Sequence, residues 1–273
     1  NEGGTPAISY SDIDQDGITG TGNIRQAPLL SSLADHGGGM LTFALLPGSP
    51  AIDTGNSAAC AAAPVNNLDQ RGVVRPQGGG CDLGAFESRG FTLSPAGGSP
   101  QETPIFTTFA LPLAVLAGST STEPLGAGGV ITLTPPATGP GLSVTAPFTI
   151  STDAAGLTAG TIVTANGIVG SFTITATAAG AVSPAILSLA NTQGTPTVTL
   201  AINPNPAPYN AALTLTATVT TTLGEGFDPL TGSVVFTDTS NVINLSSALA
   251  GGRIGLRNKP LKRMPGQAWH EAR

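Results

Sequence analysis

The sequence predicts an all-β protein, and three observations carry that prediction. Glycine and proline are abundant, 37 and 23 of 273 residues, and both are the poorest residues for helix interiors. Thr, Val and Ile recur in period-2 runs such as VITLTPP and GSFTITATAAG, the pattern of a pleated surface with one buried face. Aromatic residues make up only 4% and charged residues 10%. A core therefore has to come from Val, Ile, Leu and Ala, with Phe at intervals.

Charge excludes some classes before any element is placed. The formal net charge is -6, and six of the ten Lys and Arg residues lie at 253–273. Between Phe91 and Thr192 there is no cation, and the only acids are Glu102, Glu123 and Asp153. A nucleic-acid binder needs a basic stripe to neutralise phosphates, and the body of this chain has none. The most apolar stretch, FALPLAVLAG at 109–118, is too short to span a bilayer and contains Pro112, so no membrane-spanning segment is expected. The opening NEGGTPAISY lacks a signal-peptide pattern and reads as the interior of a longer protein.

Residues 1–90 hold nine of the sixteen acids, with short apolar runs between Gly, Asp and Asn clusters: AISYSDI, NIRQAPLL, MLTFALL, AID and DLGAF. These strand-sized pieces suit the stacked coils of a parallel β-helix. Such a stack needs a terminal cap, because its last coil would otherwise offer an unpaired edge. The only cysteines, Cys60 and Cys81, suggest one disulfide in an oxidising compartment. Closing that loop is worth about 3 kcal/mol on a chain-entropy basis. Two buried thiols are the alternative. A zinc site is not expected, since two Cys without nearby His fall short of four ligands.

The stretch DIDQDGITGTGN at 12–23 opens like a calcium loop. Asp12, Asp14 and Asp16 take the first, third and fifth ligand positions, Gly17 gives the turn, and Ile18 offers a carbonyl. The twelfth position calls for a bidentate Glu but holds Asn23, and the flanks read as strands rather than helices. Two readings stay open: a weak calcium site, with affinity of about 10⁻⁴ to 10⁻³ M, or a plain polar loop between coils. No cofactor is required by the sequence.

The segments NIRQAPLLSSLADHGGGMLTFALLPGSPAIDTG and LDQRGVVRPQGGGCDLGAFE resemble the C-terminal end of a bacterial right-handed β-helix family. That family comprises large secreted or surface proteins of the polymorphic outer-membrane and choice-of-anchor type. The resemblance covers about residues 7–87. One Cys before the DQRG segment and one in CDLGAFE resemble the version of this cap that carries a disulfide, Cys60 with Cys81. Gly48, Gly55, Gly72 and Gly84 are expected to supply turns, and Pro47, Pro50 and Pro76 to fix them. Ala51, Ile52, Leu83, Ala85 and Phe86 are the expected apolar plugs. Asp53, Asp69 and Asp82 are expected to accept loop N–H groups as Asx-turn residues do.

From Phe91 the composition shifts to Thr/Ala/Val alternation. STDAAGLTAGTIVTANGIVGSFTITATA, closing in AILSLANT, resembles a bacterial immunoglobulin-like domain of the invasin or filamin type, over 91–192. Val130, Ile131, Leu133, Ile162, Phe172 and Ile174 are its candidate core residues. Residues 193–243, with TPTVTLAINPNPAPYNAALTLTATVTTT and PLTGSVVFTD, resemble a second such repeat cut short. The basic segment 244–273 has neither alternation nor matching turns, and is expected to be irregular or foreign to the repeat.

Catalytic groups are sparse. There are two histidines, His36 in a Gly-rich turn and His270, and no GxSxG elbow. Asp53, Asp69, Asp82 and Glu87 are the only candidates for a paired-carboxylate glycosidase, and all four lie in the cap motifs. The resemblance implies a non-catalytic stalk or spacer of an extracellular or bacterial cell-surface protein, engaged in adhesion or carbohydrate binding, with glycans or host and cell-surface proteins as partners. Two alternatives remain: a β-helical polysaccharide lyase or hydrolase whose site lies upstream, and a purely structural stalk.

Overall fold

The computed structural model describes residues 8–13, 18–119, 121–206 and 208, and beyond these the strands at 212–221, 233–236, 245–248 and 253–260. Among the described residues strands dominate and the helix is five residues long, so the class is all-β. The chain divides into two compact units, Asn1–Thr192 and Gln193–Arg273.

The first unit begins with backbone pairing between neighbouring loops rather than long strands. Ile8 N donates to Thr19 O at 3.0 Å, Tyr10 N to Thr21 O at 2.9 Å and Ile13 N to Ile24 O at 3.0 Å. The bridge between Asp12 and Ile24 is parallel. Asn23 reinforces it: its Nδ2 donates to Ile8 O at 2.6 Å, and its Oδ1 accepts from Ser11 N at 3.1 Å. The short strands β1 (Ala34–Asp35) and β2 (Leu41–Thr42) then pair antiparallel.

Among the described residues one helix, α1 (Ser57–Ala61), interrupts the β pattern. The run SAACA is rich in alanine, the best helix former. Asn56 caps it, its side chain accepting from Ala58 N and Ala59 N, which satisfies two of the amides that a helix start leaves open.

Residues 91–192 carry the ladders. They comprise β3 (Thr92–Gly97), β4 (Gln101–Pro104), β5 (Ala114–Gly118), β6 (Val130–Thr134), β7 (Phe148–Ser151), β8 (Gly170–Thr177) and β9 (Ala185–Thr192). The main sheet runs β4-β9-β8-β6-β7, with β4 and β9 parallel and its other pairs antiparallel, and β3 pairs with β5. Both sheets turn alternate residues into one core. Val115 of β5 lies with Ile131 and Leu133 of β6, Ile174 of β8 and Leu187 of β9, all fully buried. The register sets Phe172 against Leu189 and Ile174 against Leu187.

Four of the six candidate core residues, Ile131, Leu133, Phe172 and Ile174, are buried. Val130 is only half-buried, as strand alternation requires beside a buried Ile131. Ile162 is 56% exposed, and its neighbour Val163 is the buried one at 5%. A one-residue shift of register exchanges the two faces of a strand, and the adjacent Ile-Val pair fits either. Among the expected plugs, Ala51, Ile52 and Phe86 are buried with Phe91 in a second apolar cluster, and Leu83 packs against it. Ala85 instead is exposed, with its carbonyl accepting from Gln70 N.

In the second unit, β10 (Pro196–Asn203), β11 (Ala212–Thr221) and β14 (Arg253–Pro260) form an antiparallel sheet, and β12 (Ser233–Phe236) pairs with β13 (Leu245–Ala248). Strands β13 and β14 fall in the segment expected to be irregular. Ile254 and Leu256 alternate with Arg and Gly, a short period-2 pattern that the surrounding charges obscure.

Candidate functional site

The motifs LDQRG, RPQGGGCDLGAFE and the lone Glu123 converge on one buried ionic network. Its first part is a turn. Leu68 and Val74 bridge antiparallel, and the loop between them wraps the Asp69 carboxylate. Asp69 Oδ1 accepts from Arg71 N at 2.7 Å and Val73 N at 2.9 Å, while Oδ2 accepts from Glu87 N at 3.0 Å. Oδ2 also receives Arg71 Nε at 2.9 Å and lies 2.8 Å from Arg71 Nη2. Burial would push the Asp69 carboxyl up, but these N–H bonds and the Arg71 charge outweigh it and hold it below the usual carboxylate range. The Arg71 guanidinium lies 3.5 Å from the centre of the Phe86 ring, a stacked cation–π contact.

The second part is the CDLGAFE segment. Glu87 Oε1 accepts from Gln77 N at 2.8 Å and Oε2 from Asp82 N at 2.9 Å, with Arg75 Nη1 at 3.4 Å. Arg75 donates to Asp82 O and Gly84 O. Asp82 Oδ1 accepts from Asp53 N at 2.8 Å and Oδ2 from Ser88 N at 2.6 Å. Burial pushes the Asp82 carboxyl up to about 7, helped by the neighbouring Glu87 and Asp53 carboxylates and opposed by those two N–H bonds. Asp53 is exposed, sits at φ +60°, and accepts from Gly80 N at 2.9 Å. The disulfide Cys60–Cys81 ties α1 to the residue before Asp82.

The third part is Glu123, whose side chain is fully buried. Its Oε1 accepts from Arg89 Nε at 2.6 Å and lies 3.7 Å from Arg71 Nη1. The sequence did not identify Glu123, whose partners are distant in the chain.

The structure thus brings Asp69, Asp82, Glu87 and Cys60–Cys81 together, with Asp53 at the margin. Every one of those carboxylates accepts backbone N–H groups of the surrounding turns, so the arrangement fixes loops whose amides have no ladder partner. His36 lies apart from the carboxylates, its Nδ1 3.1 Å from Thr42 Oγ1 and its ring edge-on to Phe86. Of the calcium-loop residues, Asp12 forms the parallel bridge to Ile24, and Asp14 and Asp16 lie outside the described residues. Among the described residues no group of three or more His, Cys, Asp or Glu is placed to hold a metal ion.

Two clefts flank the network. One, of about 620 Å³, is lined by Ser9, Tyr10, Asn56 and Val65; the other, of about 740 Å³, by Asp12, Leu30, Leu33 and Phe43. They share Tyr10, Gln70, Leu83, Gly84 and Ala85. No protein-family model and no curated protein matches the chain. Among the described residues no helix is long and apolar enough to cross a membrane.

Proposed function

We propose that the chain is a non-catalytic segment of a bacterial secreted or cell-surface protein, in which the capped end of a parallel β-helix leads into Ig-like spacers. The single observation that carries this reading is the fate of the cap carboxylates. Asp69, Asp82 and Glu87 are buried and each accepts backbone amides through both oxygens. A glycosidase needs one free acid and one free base facing a sugar, and these groups are spent on the fold instead. The parallel pairing of 8–13 with 19–24, the sheets around one core and the disulfide support the β-helix, Ig-like and extracellular parts of the reading.

Within it, the clefts that meet at Tyr10 favour a carbohydrate-binding role over a bare stalk. An aromatic ring beside polar groups suits the apolar and hydroxylated faces of a sugar. Incubation with acidic polysaccharides is expected to release neither reducing ends nor unsaturated uronates. Turnover that vanishes in Glu87→Gln would overturn the non-catalytic reading. A glycan array is expected to bind the chain, with loss in Tyr10→Ala; an empty array would leave the structural stalk.

A further inference from the structure

Residues 44–90 meet the sheets along a seam with no linker in it. Val130 N donates across it to Pro47 O at 2.8 Å, and Gly48 N to Ala179 O at 3.0 Å. Glycines let the backbones approach this closely. A Cβ on Gly180 would lie 2.9 Å from Ile52 Cδ1 and 3.1 Å from Phe91, and one on Gly126 would meet Leu46 Cδ2 at 2.5 Å. The apolar cluster of Ala44, Leu45, Ala51, Ile52 and Phe86 is completed by Phe91 and Leu125 from the far side.

Glu123 is the one charge that the sheet side buries in this seam. Glu102 and Asp153, the other acids of 91–192, are exposed. The same stretch contains no Lys or Arg, so it holds no cation for a buried carboxylate. Both cations that Glu123 meets, Arg89 at 2.6 Å and Arg71 at 3.7 Å, come from residues before Phe91. The dependence is one-sided. Arg71 keeps Asp69 and the Glu87 carbonyl without Glu123, whereas Glu123 has no other cation among the described residues. A buried carboxylate deprived of its partner is strongly unfavourable.

We infer that Glu123 is a latch that makes residues 44–90 and the sheets of 91–192 open and close as one cooperative body, so that the cap is a dependent part of the sheet domain and not a separate domain. The latch works through charge supplied from one side and burial supplied from the other. It stands whether or not the chain is a stalk, because it concerns only how the two parts hold each other.

Amide hydrogen exchange on the full chain tests it. In the wild type, the seam amides of Gly48 and Val130 are expected to exchange at the same rate as the core amides of Ile174 and Leu187. Glu123→Gln is expected to speed the seam amides by about tenfold or more while leaving β8 and β9 unchanged. Arg89→Gln removes the same ion pair from a side chain that is 32% exposed; it folds more safely and is expected to give the same pattern. The inference is overturned if the wild-type seam already exchanges about tenfold faster than the core. It is equally overturned if both variants leave the seam unchanged, or if they accelerate β8 and β9 as much as the seam.

Discussion

The cap at 44–90 and the sheets at 91–192 solve one problem in opposite ways. Backbone N–H groups inside a protein have to be paired. In the sheets the ladders do this, so the side chains have only to be apolar and alternate, and the core of Phe109, Leu113, Ile131 and Leu187 is made without an ion pair. In the cap the chain turns too often for ladders. Carboxylates of Asp69, Asp82 and Glu87 take the amides instead, and Arg71 and Arg75 balance them. Charge is therefore buried where secondary structure is missing, which explains how a chain with 10% charged residues concentrates its buried charge in so short a segment.

The comparison breaks most sharply at Asp69. Asp69→Ala removes the acceptor of three amides and takes from the buried Arg71 its near carboxylate, leaving only Glu123 at 3.7 Å. The expected loss is about 3–5 kcal/mol, read by urea denaturation. Leu187→Ala, at a fully buried position in the sheets, is expected to cost about 2–5 kcal/mol by leaving a cavity. The two differ in kind: the cap variant is expected to shift its loss with pH, and the sheet variant is not. Equal pH dependence in both would remove the distinction.

A second test uses Asp82. Its folded carboxyl is raised from 3.8 to about 7. A raised acid favours the folded state when protonated, so its contribution is complete at pH below the ordinary carboxylate range and is lost as pH rises through about 7. Asp69, held below the ordinary range, contributes with the opposite sign and is lost only as pH falls through its lowered value. The melting temperature is expected to fall between about pH 4 and about pH 7, and Asp82→Asn is expected to flatten that fall. A slope that persists in the variant would assign it to another group.

The smallest effect is local. Asn56→Ala uncaps the five-residue α1 and is expected to cost about 1 kcal/mol, measurable as a lower denaturation midpoint. No change would mean that the disulfide alone holds that turn.

These contrasts also explain what the sequence disclosed. The sheets are legible because charge-free alternation has one physical meaning, and it placed Ile131, Leu133, Phe172 and Ile174 correctly. It failed at Ile162 because two adjacent β-branched residues carry no register. In the cap, the pairing of Cys60 with Cys81 and the turn roles of Asp69 and Asp82 follow from residue chemistry. Arg75 and Glu123 do not. Their roles depend on where folding brings distant segments, and Arg89 is 34 residues away from Glu123. The helix α1 was hidden by its length, since five residues are too few for a helical period to declare itself.

The Cys60–Cys81 bond has a mechanical consequence. A chain pulled from its two ends carries tension through the sulfurs, and the 21-residue step between them bears none. That slack amounts to about 70 Å of contour length, withheld under oxidising conditions and released when the bond is reduced. Residues 61–80, with Asp69, Arg71 and Arg75 among them, therefore remain out of the line of force until the sulfurs part.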